Sequence, residues 1–131
     1  EKFAIFPDEI ERRQAVAARY KMGLSGTVLT PSVAAHNTSV FAQYTVEVEH
    51  RERVQAALKA EGIPTAVHYP VTLNDQPVFK ALYPEVATYP NAARAARHVM
   101  SLPMHPYLSE SEQDRVIDAL IKVLATETAE V

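Results

Sequence analysis

The sequence predicts an α+β domain, in which a small, mostly antiparallel sheet carries helices on one face. Three observations lead there. In residues 40–48, Val40, Ala42, Tyr44, Val46 and Val48 alternate with Phe41, Gln43, Thr45 and Glu47, the period-2 signature of a strand with one buried face. Residues 51–61 then read as a helix anchored by Val54, Ala57 and Leu58 and ended by Gly62. Residues 65–69 are extended again, so β-α-β is written in order. The clearest helix comes last: Ser109 with Glu112 forms a capping box, and Val116, Leu120, Val123 and Leu124 make its stripe.

The remaining elements follow in chain order. Pro7 and Asp8, with Glu11 three residues on, predict a helix start, and Ile10, Ala17, Tyr20 and Leu24 supply its narrow apolar stripe up to Gly23 or Gly26. Residues 27–30 suit a short strand before Pro31, and 32–37 a loop. Whether the strands at 40–48 and 65–69 are neighbours or have another between them is open at this level. Residues 76–82 predict a short helix, and Tyr83-Pro84 with Tyr89-Pro90 bracket a turn. Asn91 starts a helix through Ala92, Ala95, Ala96 and Val99, and 101–104 is a brief extended piece. Residues 126–131 are expected to fray.

Composition narrows the function. The 131 residues suit one domain, with 47% hydrophobic and 22% charged residues and a net charge of −3. Acids and bases are interspersed, unlike the clustered basic footprint of a nucleic-acid binder. No apolar run is long enough to span a bilayer and no signal-peptide pattern opens the chain, which makes the cytoplasm the default expectation. With no cysteine, disulfides, thiolate metal sites and cysteine nucleophiles are excluded. Three glycines leave no G-x-G-x-x-G and no P-loop, and no G-x-S-x-G elbow is present. His98 and His105 lack a third ligand, so no metal site is expected. The start at Glu1 without a methionine reads as a beginning in mid-protein.

The segment 65–77 holds the candidate site. Neighbouring side chains on a strand point to opposite faces. His68 and Tyr69 therefore serve one ligand only where regular pairing stops, and Pro70 enforces that stop because it donates no ladder hydrogen bond. His68, Tyr69, Asn74 and Gln76 are the candidate substrate-binding residues, their imidazole, phenol and amide groups being donors for hydroxyl, carboxylate or phosphate oxygens of a ligand. The alternative is a strand end with an ordinary histidine and an amphipathic tyrosine. Tyr44 is expected in the core. The arginines at 12, 13, 51, 53, 94 and 97 are expected on solvated helix faces.

Four pieces carry a family likeness. They are Phe6-Pro7-Asp8-Glu9-Ile10-Glu11-Arg12-Arg13 with Tyr20; Asn37-Thr38-Ser39-Val40-Phe41-Ala42-Gln43-Tyr44-Thr45-Val46; Gly62-Ile63-Pro64-Thr65-Ala66-Val67-His68-Tyr69-Pro70 with Leu73 and Gln76-Pro77; and Leu102-Pro103-Met104-His105-Pro106-Tyr107-Leu108. In this order they resemble the C-terminal domain of the DegT/DnrJ/EryC1/StrS sugar aminotransferases. The resemblance implies the small domain of the aspartate-aminotransferase (PLP type I) fold spanning 1–131, with 1–26 a helix linking it to a large domain, 27–125 the sheet and helices, and 126–131 the tail. It also implies a pyridoxal-phosphate (PLP) enzyme of polysaccharide biosynthesis, moving an amino group from glutamate to a keto group of a nucleotide-linked sugar. Homodimerisation is implied too, with His68 and Tyr69 shaping a site at the subunit interface. None of Lys2, Lys21, Lys59, Lys80 or Lys122 lies in the family's lysine context. No catalytic or cofactor-binding residue is therefore expected here, nor cofactor bound to this chain alone. Many members carry histidine where this chain has Asn74, which points toward those acting on UDP-linked 3-keto uronic acids. The rival readings are a small-molecule-binding regulatory module and a structural dimerisation domain.

Overall fold

A computed structural model describes residues 2–85 and 87–129, with five α-helices, one short 3-10 helix and two paired strands among them. The first helix, α1 (Lys2–Leu24), starts five residues before the predicted proline and runs through it. Pro7 lacks the N–H that would bond the carbonyl four residues back, so the helix passes it one rung short. Asp8 is consequently no cap; its carboxylate accepts from Arg12 Nε at 2.8 Å, one turn on.

Both predicted early strands are shorter than their patterns. β1 (Tyr44–Glu47) is four residues long. Its run is cut at Phe41, which sits in the left-handed region (φ 41°), a conformation costly for a bulky residue. Two hydrogen bonds hold it there: Phe41 N–H donates to Ser39 Oγ, and Arg13 donates to the Phe41 carbonyl, each at 3.1 Å. Residues 27–30 reduce to one bridge, Leu29 with Glu47.

α2 (Arg51–Ala60) ends as predicted. Gly62 takes φ 74°, Ile63 N–H bonds the Leu58 carbonyl and Gly62 N–H that of Lys59, a Schellman ending with Leu58 and Ile63 both buried behind it. The predicted strand at 65–69 is a single bridge, Ala66 with Ser101. After the 3-10 turn Leu73–Asp75 come α3 (Pro77–Leu82) and α4 (Pro90–His98). α4 begins one residue early because proline, with no N–H to satisfy, suits the first helical position. Between α3 and α4, Val86 lies outside the described residues. Val99 belongs to β2 (Val99–Leu102) rather than to the helix.

β1 and β2 pair antiparallel, Tyr44 opposite Leu102 and Thr45 opposite Ser101. Ala66 bridges the far side of Ser101, so β2 lies between β1 and the 66 segment. The open question of adjacency is answered by an intervening strand. On one face of the sheet, Tyr44, Val46, Met100 and Leu102 join Val16, Tyr20 and Leu24 of α1 and Leu120 of α5 (Glu110–Ala129) in the core. The Tyr20 and Tyr44 rings lie 5.1 Å apart, and Tyr20 donates to the Pro103 carbonyl at 2.9 Å. Burial pushes its phenol well above the usual tyrosine range. α1 packs on α5, and α2 on α5. The capping box forms: Glu112 N–H donates to Ser109 Oγ and Ser109 N–H to Glu112 Oε2. α5 continues to Ala129, past the point where fraying was expected; residues 130–131 lie outside the described ones.

Candidate functional site

On the other side, the loop after Ala66, α3 and α4 enclose an open groove of about 650 Å³. Proline shapes it. Pro70 stops the extended segment, Thr72 donates to Asp75 at 2.7 Å across the 3-10 turn, and Lys80 pairs with Asp75 at 3.0 Å. These two contacts, Thr72 first, hold the Asp75 carboxyl below its ordinary range. One wall is the small-residue face of α4, Ala92, Ala95 and Ala96; the other is Val71, Leu73 and Phe79, with Tyr69, Tyr83 and Tyr89 as aromatic borders.

His68, Tyr69 and Asn74 line this groove together. Gln76 does not line it; it occupies the cap position of α3, where its carbonyl accepts from Phe79 and Lys80. The His68 and Tyr69 rings are 5.6 Å apart, edge to face, and the Tyr69 side chain is 72% exposed. His68 is also exposed. His68 Nδ1 lies 3.4 Å from Ser101 Oγ, which lies 3.0 Å from Thr45 Oγ1.

Sequence reasoning missed Ser101, Thr45 and Arg51. Arg51 is buried, not solvated: its Nη1 donates to the carbonyls of Ala96 and Val99. It sits where α4 ends, against carbonyls that favour a cation, and Ala96 and Val99 both line the groove. A signal was present in part, since Arg51 opens a helix directly after a strand; the carbonyls it meets are 45 and 48 residues away and leave no local trace. Arg94 pairs with Glu47 on the same face of the sheet as Ser101. His98 Nδ1 lies 3.1 Å from Glu49, and His105 Nδ1 accepts from Tyr107 N–H at 3.2 Å.

A pyridoxal-phosphate site requires a lysine and an acid partner for the ring nitrogen. Among the described side chains no lysine lines the groove: Lys80 faces Asp75, and Lys122 pairs with Glu61 at 2.9 Å. The groove residues do not fit that cofactor. They fit a ligand with an apolar or aromatic body and a few acceptor oxygens.

The family model described as the DegT/DnrJ/EryC1/StrS aminotransferase family matches residues 1–121. A Pseudomonas aeruginosa protein, UDP-2-acetamido-2-deoxy-3-oxo-D-glucuronate aminotransferase, is 50% identical over 120 residues, which is 91% of this chain and 33% of that protein. The Streptomyces venezuelae dTDP-3-amino-3,4,6-trideoxy-alpha-D-glucose transaminase is 38% identical over 83% of the chain and 29% of its own length. Among solved structures, S. venezuelae DesV in complex with a ketimine intermediate aligns with a TM-score of 0.87 at 35% identity. That alignment covers 93% of this chain and 33% of DesV. A Brucella abortus DegT DnrJ EryC1 StrS aminotransferase aligns at 0.81 and 39%, covering 92% and 32%. The chain thus spans about a third of the length of the relatives it matches.

Proposed function

The chain belongs to the DegT/DnrJ/EryC1/StrS aminotransferase family, and from that premise we propose that it is the C-terminal part of a PLP-dependent aminotransferase acting on a nucleotide-linked sugar. The observation that carries this reading is the convergence of His68, Tyr69 and Asn74 on one aromatic-bordered groove. Pyridoxal phosphate supplies the chemistry of amino-group transfer. Its lysine and ring-nitrogen partner belong, on this reading, to a large domain outside these residues, and glutamate is the amino donor.

The chain's own part is to hold the sugar nucleotide. His68 and Tyr69 offer an N–H and an O–H to its oxygens, and Asn74 adds an amide. Val71, Leu73 and Phe79 offer an apolar wall to the body of the ligand. Two features favour a UDP-linked 3-keto uronic acid as substrate: the half-identical relative bears that activity in its name, and Asn74 stands where many members carry histidine. The enzyme is taken to be a cytoplasmic homodimer of polysaccharide biosynthesis, with His68 and Tyr69 serving the neighbouring subunit's site.

The test is His68→Ala and Tyr69→Phe in the complete enzyme. A neutral hydrogen bond is worth about 0.5–1.5 kcal/mol and one to a charged group about 1.5–3, and tenfold in rate is about 1.4. The expected loss in kcat/KM is therefore from a few-fold to about a hundredfold, larger for His68→Ala, with melting unchanged. Wild-type kcat/KM in both variants removes the substrate-loop reading. Absence of any transaminase activity in the complete protein, with a small molecule still bound, favours the regulatory-module alternative.

A further inference from the structure

Ser101 stands in the middle of β2 between Met100 and Leu102, and it is only 5% exposed. A hydroxyl buried there destabilises the fold unless it is hydrogen-bonded. Its neighbours are Thr45 Oγ1 at 3.0 Å and His68 Nδ1 at 3.4 Å, the second at the long end for an N···O hydrogen bond. The backbone brings the three together. Thr45 and Ser101 are directly opposed in the register, and Ala66 forms the bridge to the other side of Ser101. Opposed residues share a face, as do residues two apart on an extended segment. Thr45, Ser101, Ala66 and His68 thus share one face, where the methyl of Ala66 leaves room for the imidazole to reach Ser101.

We propose that Thr45 and Ser101 are positioning residues for His68, a file of hydroxyls in which Thr45 donates to Ser101 and Ser101 donates to His68 Nδ1. That direction leaves His68 in its Nε2–H form with the N–H available to the groove. The reverse direction leaves a bare nitrogen there, which cannot bond the acceptor oxygens of a sugar, a carboxylate or a phosphate. The partner of one ring nitrogen decides the tautomer of the other, as it does for histidines whose second nitrogen serves a metal. The inference rests on His68 as a substrate contact and adds the residues that make it a donor.

The decisive variants are Thr45→Val, which keeps the β-branched shape and removes the hydroxyl, and Thr45→Ser, which keeps the hydroxyl. The complete enzyme is assayed with UDP-2-acetamido-2-deoxy-3-oxo-D-glucuronate, and the His68 tautomer is read from its ring ¹⁵N shifts. Thr45→Val raises KM about two- to tenfold with kcat near wild type and moves His68 away from the Nε2–H form; Thr45→Ser restores both. Ser101→Ala acts in the same direction, and if it fails to fold, Thr45→Val decides alone. In a His68→Ala background Thr45→Val has no further effect. An unmoved His68 tautomer in Thr45→Val overturns the proposal, as does a KM effect that persists without His68. Should His68→Ala leave activity intact while Thr45→Val still shifts the tautomer, the positioning inference stands and the substrate-contact reading falls.

Discussion

The two faces of one short sheet lead different lives. On the first, Tyr44, Val46, Met100 and Leu102 are at most 4% exposed and meet the buried stripes of α1 and α5. On the second, Thr45, Glu47 and Ser101 are polar, and beyond them Leu73 and Tyr83 stand 70% and 59% exposed. The apolar side chains of the first face hold the chain folded. Those of the second hold little, because they bury little area. Contiguous exposed apolar surface of this kind marks a place where something else binds. On the proposed reading, stability and recognition are separated by the thickness of a β-strand, which is the alternation of the sequence made physical.

The comparison can be broken by substitution, beginning where the effect is largest. Leu120→Ala, at a fully buried position, is expected to cost about 2–5 kcal/mol in urea unfolding. Arg51→Met tests a buried side chain that ties α2 to the groove-lining residues of α4 and β2; losing its charged hydrogen bonds to Ala96 and Val99 costs about 1.5–3 kcal/mol. Ser109→Ala removes the cap of α5, at about 1 kcal/mol. Leu73→Ala, on the open face, stays within about 0.5 kcal/mol while weakening ligand binding. A Leu73→Ala variant that unfolds as readily as Leu120→Ala would show that both faces hold the fold.

The cap also carries a pH dependence. The Ser109 hydroxyl and backbone N–H hold the Glu112 carboxyl below its ordinary range. Its contribution is therefore present above the unfolded glutamate pKa and lost as pH falls through the depressed folded value. Thermal melts on the acid side of pH 5 show a shallower slope in Glu112→Gln than in the unmodified protein.

Much of the closed face was legible in the sequence. The capping box at Ser109, the Schellman glycine at 62 and the stripe Val116, Leu120, Val123 are local patterns, and local patterns survive folding unchanged. The strands were overextended because alternation at Val40 and Ala42 says nothing of the left-handed turn at Phe41, which hydrogen bonds from Ser39 and from Arg13, 28 residues away, support. The helix start was misplaced because Pro7 signals a first turn as strongly as it tolerates a second. Of the candidate residues, His68, Tyr69 and Asn74 lie together in the groove formed by the proline-bounded loop, whereas Gln76, close to them in sequence, stands at the cap position of α3. The buried contacts of Ser101 and Arg51 leave little local trace, since the hydroxyls and carbonyls they meet are distant in the chain and come together only when β1, β2 and α4 are assembled.

The segment leading to His68 joins β2 through the two hydrogen bonds of the Ala66–Ser101 pair, Ala66 N–H to Ser101 O at 3.1 Å and Ser101 N–H to Ala66 O at 2.8 Å. A strand laddered along its length opens only with the sheet, but a segment with a single backbone rung opens by itself, at the expense of that rung, about 1–3 kcal/mol for two neutral bonds, and of the side-chain contacts beside it, Gln55 with Thr65 and Ser101 with His68. Local opening of that size leaves the rest of the molecule folded. In amide exchange, Ala66 will therefore trade its proton through a small local fluctuation, while Val46 in the ladder beside it waits for global unfolding.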